Sequence, residues 1–324
     1  MLAFENILRR IEEEVSNLRF QNPPKSLYEP IEYILSLGGK RIRPALTLMA
    51  CNIYNSDIEN AVKPALGLEV FHNFTLLHDD LMDEADKRRN KPTVHKVWNA
   101  NTAILSGDAM LIYAYQLIGS AEASHLKEIL DLFTQTSLEI CGGQQYDMEF
   151  ESRMDVNEEE YIEMIRLKTA VLLACALKMG AIVGGASKED ADNLYEFGIN
   201  IGLAFQLQDD LLDVYGDTAT FGKNIGGDIL CNKKTFILIN ALKLASGKQK
   251  DTLVSWMGQK EFDPAEKIKT FTAIYDDLGL KQLTESKIQK YYDKSVSNLA
   301  ALKVAPGKLD ILKEVCDRLM HRQS

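Results

Sequence analysis

Between Pro92 and Pro264 the chain contains no proline, and apolar residues recur along it at spacings of three and four. Proline breaks helix interiors, so a proline-free stretch with this period suits long helices. Strand-type alternation punctuated by hairpin dipeptides is missing. The pattern predicts helices over roughly 43–54, 60–84, 93–119, 124–151, 158–183, 188–215, 233–246, 249–258 and 263–277. Upstream, Ile7, Ile11, Val15 and Leu18 mark a first helix. Leu27, Ile31, Ile34 and Leu35 mark a second, which stops at Gly38-Gly39 as C-cap chemistry dictates. Two last helices, roughly 280–302 and 307–321, are separated by Pro306-Gly307. Segments 101–118 and 169–185 are apolar almost all round, which predicts central positions in a bundle. No linker rich in Gly, Pro or Ser divides the 324 residues. The expectation is an all-α protein, a single domain over residues 1–324, built as one large helical bundle around a central cavity.

On this helical frame one acidic pattern, DDxxD, occurs twice, at Asp79-Asp80-x-x-Asp83 and Asp209-Asp210-x-x-Asp213, 130 residues apart. On a helix the first and last aspartates share a face, and the middle one is offset by about 100°. Such a run standing alone is commonly a solvated helix face or helix start. Here both copies have apolar flanks, including Phe71, Phe74, Leu76 and Leu77 before the first and Ile201, Leu203, Ala204 and Phe205 before the second. Carboxylates in such surroundings need partners. Hard oxygen ligands of this kind suit magnesium, which commonly bridges a few carboxylates to substrate phosphates. Two copies predict one cavity with an acidic cluster on each of two opposing helices.

Net charge is −10, which argues against nucleic acid as a partner. Basic residues cluster locally instead, as Lys40-Arg41-Ile42-Arg43 and Lys87-Arg88-Arg89-Asn90-Lys91, and such clusters point to a small anionic ligand. Lys40 and Arg43 are three residues apart and able to converge on one phosphate; Arg88 and Arg89 point apart and could each hold a different diphosphate. The plainer reading of both clusters is a glycine C-cap or loop with solvated cations. Lys223 and Lys233 flank Gly226-Gly227-Asp228, where a loop could close on a substrate. The five cysteines are widely spaced and lack a CxxC pair, which fits reduced thiols in the cytosol. No signal peptide and no apolar run of spanning length is visible, so a soluble, cytoplasmic protein with no integral membrane part is expected. P-loop, HExxH, GxSxG and GxGxxG motifs are all missing.

Taken in order, the motifs resemble those of the trans-isoprenyl diphosphate synthases, the polyprenyl synthetase family, over nearly the whole chain. The matching segments are Gly38 to Pro44, His72 to Asp83 with Arg88-Arg89, Gly107-Asp108 and Gly143 to Asp147. They continue with Lys168-Thr169, Gln206 to Asp213, Gly222-Lys223 to Asp228, and Lys233 to Thr235. The resemblance implies an all-α fold, a homodimer and three magnesium ions per active site. Asp79, Asp83 and Asp209 would bind the metals, with Asp80, Asp210 and Asp213 acting mostly through water. An allylic diphosphate would be held with Arg88, Lys168, Thr169, Gln206, Lys223 and Lys233, and isopentenyl diphosphate by Lys40, Arg43, His72 and Arg89. Asn90 stands where the family commonly has glycine, which puts that loop's conformation in question.

The implied reaction is head-to-tail condensation of isopentenyl diphosphate with a dimethylallyl, geranyl or farnesyl diphosphate. Product length would be set by depth below the first acidic set. Phe74 lies five residues, or about 7.5 Å of helix rise, upstream of Asp79. Thr75 beside it is small where enzymes that stop at fifteen carbons often carry a second aromatic. By resemblance this pattern is that of a geranylgeranyl synthase, with a farnesyl synthase as the alternative. Head-to-head condensing enzymes and cyclases lack the paired basic sites for a second, isopentenyl diphosphate, so Lys40, Arg43 and Arg89 argue against them. A regulatory subunit of a heteromeric synthase, which would not be an enzyme, tends to lose acidic motifs that are complete here.

Overall fold

In α1 (Phe4–Asn17) the buried residues Ile7, Ile11 and Val15 are spaced by four, and Glu5, Glu12 and Glu13 face water. This is the amphipathic stripe that the sequence period anticipates. The computed structural model describes residues 2–20, 22–216, 225–305 and 307–320. They form two compact units. One comprises Met1–Thr134, Cys175–Leu194 and Lys303–Leu312; the other comprises Gln135–Ala174, Tyr195–Leu302 and Lys313–Ser324.

The first unit contains α1, α2 (Lys25–Ser36), α3 (Ile42–Tyr54), α4 (Glu59–Met82), α5 (Val94–Val97) and α6 (Ala100–Ile118). Helix α3 is buried from Pro44 to Ile53, and α4 packs against both α3 and α6. Phe133 anchors the core, edge-on to Phe71 at 5.0 Å and to Tyr115 at 4.8 Å. Burial of each such ring contributes on the order of 1.5–3 kcal/mol.

Three features of this unit depart from the sequence reading. Residues 93–119 do not form one helix: α5 is a single turn, and Asn99 starts α6 afresh, its side chain accepting from the Thr102 N–H at 2.9 Å. An asparagine inside an expected helix was a capping signal. The stretch 87–92 is a small antiparallel hairpin, β1 (Lys87–Arg88) with β2 (Lys91–Pro92), containing the only strands among the described residues. Strands this short show no alternation. Finally, segment 101–118 is not wholly internal. Leu105 is 60% exposed and Ile112 is 70% exposed, whereas 170–177 and 179 are buried as expected.

The second unit contains α8 (Glu158–Ile165), a π-helical turn (Arg166–Ala170), α11 (Gly227–Leu230), α12 (Phe236–Leu244), α13 (Gly247–Met257), α14 (Pro264–Asp277) and α15 (Leu280–Ala300). Helices α7 (Ala123–Ser152), α9 (Val171–Val183), α10 (Lys188–Tyr215) and α16 (Asp310–Met320) contribute residues to both units. Helix α8 begins with a reciprocal capping box between Asn157 and Glu160. Helix α12 is buried from Phe236 to Ala241 and packs on α14 and α15. Among the described residues, no helix is long and apolar enough to cross a membrane.

Candidate active site

The first acidic set closes α4. Asp79 and Asp80 lie in its last turn, and Asp83 is the capping residue, its N–H bonded to the Asp79 carbonyl at 2.9 Å. The offset expected of the middle aspartate is realised in burial: Asp80 is 4% exposed, Asp79 is half-buried and Asp83 faces solvent. A buried carboxylate requires a counter-charge, and Arg88 supplies it as a fork. Its Nε donates to Asp80 Oδ2 and its Nη2 reaches Asp80 Oδ1, both at 2.8 Å, with Asp79 Oδ2 3.8 Å away. Fork-to-fork pairing fixes orientation as well as energy.

The hairpin explains how two adjacent arginines serve different neighbours. Arg89 and Asn90 are its two central residues, with φ of 51° and 61°. Positive φ at both is the type I′ requirement, and asparagine tolerates it well. Asn90 therefore keeps the turn that glycine would make. Arg88 remains on the strand facing Asp80, and Arg89 turns to donate from Nη1 to the Gly38 carbonyl. A side chain at Gly39 would meet the Arg89 guanidinium at 2.9 Å.

The Gly38–Arg43 segment divides its cations. Arg41, left-handed at φ 49°, is buried against Glu69 at 2.7 Å, Glu12 at 3.1 Å and the Leu35 carbonyl at 3.0 Å. It is a clamp that the sequence reading did not single out. Lys40 is exposed, and Arg43 is half-buried with Nη1 3.1 Å from His72 Nε2. Burial lowers the Arg43 pKa to about 10. His72 is pushed well below 6.5, first by burial and then by Arg43, Arg89, Arg88 and Arg41. A neutral ring accepting from Arg43 is the consequence.

This shift has a definite sign. The unfolded chain protonates His72 as pH falls through about 6.5, and the folded chain resists, so the stability present above 6.5 is lost below it. His72→Gln is expected to flatten the urea-stability profile below pH 6.5 by up to about 1.4 kcal/mol per pH unit. An unchanged slope would count against a neutral His72.

Phe74 and Thr75 lie on α4 between this pair and the acids, and both are half-buried. The Phe74 ring is 5.5 Å from Phe71 and 4.8 Å from His78. The Thr75 hydroxyl donates to the His72 carbonyl at 2.8 Å. Gly107 on α6 makes room for His78, since a Cβ there would lie 2.2 Å from His78 Nε2.

The second acidic set, near the end of α10, again buries its middle aspartate. Asp209 and Asp213 are half-buried and Asp210 is 3% exposed. Its donors differ from those of Asp80: the Tyr161 hydroxyl bonds to Asp210 Oδ2, and Gln206 Nε2 donates to Oδ1 at 3.1 Å. Thr169 completes the chain, donating to Gln206 Oε1 at 3.2 Å. Burial and the Asp228 carboxylate push Asp210 up to about 7. Asp213 Oδ2 accepts from the Asp228 N–H at 3.0 Å, and Lys233 Nζ lies 4.0 Å from Asp228 Oδ1.

Lys168 and Thr169 sit in the π-helical turn, an element often found at functional positions. A Cβ on Gly143 would lie 2.4 Å from the Lys168 backbone nitrogen, so glycine lets that turn press against α7. Lys168 Nζ is 2.6 Å from Asp147. Tyr161, seven residues before Lys168, was not anticipated. Its spacing of two helical turns was the available signal. Lys223 lies outside the described residues.

Both acidic sets offer only carboxylate oxygens, the donors magnesium prefers. A carboxyl raised to about 7 beside a second carboxylate is a group that a divalent cation would return to its charged form. Among the described residues no cluster of three His, Cys, Asp or Glu side chains forms a cage by itself. Magnesium retains waters and takes substrate phosphate oxygens, so it does not require one.

Comparison with known proteins settles the family. The polyprenyl synthetase model matches residues 24–275. The chain belongs to the polyprenyl synthetase family. It is 41% identical over 250 residues to the short chain isoprenyl diphosphate synthase of Methanothermobacter thermautotrophicus, covering 77% of this chain and 76% of that one. It is 36% identical over 303 residues to the geranylgeranyl diphosphate synthase of Methanosarcina mazei, covering 93% and 91%. A crystal structure of a geranylgeranyl pyrophosphate synthase superposes with a TM-score of 0.94 at 42% identity, covering 100% of both chains. As a polyprenyl synthetase the chain is a prenyltransferase, and its all-α architecture is that of the isoprenyl synthases.

Proposed function

We propose that this polyprenyl synthetase condenses isopentenyl diphosphate head-to-tail with allylic diphosphates and stops at the twenty-carbon geranylgeranyl diphosphate. The observation that carries the reading is the division of labour in one hairpin: Arg88 serves the carboxylates, and Arg89 turns to the glycine segment beside Arg43 and His72. This supports two anion-handling sets, one with the paired aspartates and one beside Arg43 and His72, as a reaction of two diphosphates needs.

In this reading Lys168, Lys223, Lys233 and Arg88 hold the allylic diphosphate, and Lys40, Arg43, His72 and Arg89 hold isopentenyl diphosphate. Asp79, Asp83 and Asp209 would hold magnesium, three ions in all, with Asp80, Asp210 and Asp213 positioned behind them. When bound, the ions neutralise charge on the departing diphosphate. The allylic C–O bond breaks with its electron pair leaving on the diphosphate. The isopentenyl double bond forms the new C–C bond, and one proton is then lost to the released diphosphate. The cationic side chains act as preorganised electrostatic stabilisers. Thr169, bonded to Gln206, and Gln206, bonded in turn to Asp210, are the acceptor dipoles this reading assigns to the allylic cation. No protein nucleophile enters. Pyrophosphate release in step with isopentenyl diphosphate consumption tests the reading, and release without that consumption would contradict condensation.

The reading extends to a single-domain, cytoplasmic homodimer. The exposed apolar face of α6, with Ile104, Leu105 and Ile112, supports a second copy as its cover. Leu105→Asp with Ile112→Asp is expected to halve the solution mass measured by light scattering, and an unchanged mass would exclude this face.

A further inference from the structure

Lys267 is a lysine with no exposed surface, one turn inside α14. Buried ammonium groups are costly and need compensation. Among the described residues no carboxylate pairs with it. Its Nζ donates instead to the Leu230 carbonyl at 3.1 Å and to Asn232 Oδ1 at 2.8 Å. The charge also lies 4.2 Å from the Phe262 ring centroid and 5.7 Å from that of Phe271. Aromatic faces offset part of the desolvation cost, and burial nevertheless lowers the ammonium pKa. Arginine or lysine is disfavoured in the first turns of a helix, where the dipole is positive, so α14's own stability does not explain the residue.

The two acceptors belong to one short segment. Leu230 ends α11, and its carbonyl is one of the groups a helix end leaves without an internal partner. Asn232 follows at φ 53° and also donates to the Met257 carbonyl at 3.2 Å. The segment is tied to the second acidic set: Gly226 N–H bonds to the Asp213 carbonyl at 2.7 Å, and Lys233 N–H bonds to the Asp228 carbonyl at 2.9 Å. Ile268, next to Lys267, packs where a Cβ on Gly226 would stand, at 2.6 Å. The start of α14 is itself fixed, because Asp263 caps it through the Ala265 and Glu266 N–H groups at 2.8 and 3.1 Å.

We propose that Lys267 is a positioning residue for allylic diphosphate, setting through Leu230 and Asn232 the place of the turn that carries Asp228 and Lys233. The inference rests on the reading above in which Lys233 holds that diphosphate. Lys267 contacts no substrate; it fixes the backbone from which Lys233 projects.

The test is steady-state kinetics on the full chain with both KM values measured. Lys267→Met keeps the length and removes the charge. It is expected to raise the allylic KM about tenfold and leave the isopentenyl KM within about twofold, since small misplacements of a binding group are costly. Asn232→Gly keeps the left-handed turn, removes the acceptor and covers the case in which Lys267→Met fails to fold. A selective rise of about threefold is expected for it. On a Lys233→Ala background, Lys267→Met should change the allylic KM by less than about twofold. Loss of thermal stability or active fraction with both KM values unchanged in Asn232→Gly and Lys267→Met would overturn the proposal. An unchanged allylic KM in Lys233→Ala alone would instead remove the assignment of Lys233, and the proposal with it.

Discussion

Asp79→Asn and Asp209→Asn are each expected to lower the turnover number by about 10²–10³, measured at fixed magnesium with both diphosphates saturating. Asparagine keeps the shape of the side chain and removes its charge, so the loss reports on electrostatics. The two acidic sets occur in different compact units, and each has its own buried middle aspartate with its own donors, Arg88 for Asp80 and Tyr161 for Asp210. If both sets serve one departing diphosphate, the double variant should lose far less than the product of the two single losses, as groups acting as a unit do. Full multiplicative loss, or a silent Asp209→Asn, would contradict a shared step.

Phe74→Ala is expected to lengthen the product by at least one five-carbon unit. The ring stands five residues before Asp79, about 7.5 Å along the helix. It is half-buried, with neighbours Phe71 on one side and His78 on the other. Removing it opens volume between those two rings without touching a carboxylate. Packing loss from a half-buried phenylalanine should stay below the roughly 3–5 kcal/mol of a fully buried one, so the variant should fold. The readout is the chain-length distribution by mass spectrometry. An unchanged distribution from folded Phe74→Ala would reduce Phe74 to core packing.

Much of the site was legible because its chemistry is local in sequence. Each DDxxD places like charges within one helical turn, and only a cationic or solvated setting tolerates that. Flanking apolar residues argued against a fully solvated run, and Asp80 and Asp210 are buried, although Asp83 faces solvent. Partnerships across long separations were not legible. Tyr161 and Asp210 are 49 residues apart, Arg41 and Glu69 28, and Lys267 and Leu230 37. Nothing in the periodicity of either partner announces the other. The hairpin escaped because two-residue strands carry no period, although two basic residues followed by asparagine already hinted at positive φ. Segment 101–118 was read as internal because an all-round apolar helix must be covered. That rule does not say whether the cover comes from the same chain, and here Leu105 and Ile112 remain open.

The most direct test of the whole account is product analysis of the purified chain. With magnesium, isopentenyl diphosphate and farnesyl diphosphate, mass spectrometry should find geranylgeranyl diphosphate as the main product, with dimethylallyl and geranyl starters converging on it. Failure of the isolated, folded chain to consume isopentenyl diphosphate with any of the three starters would contradict it.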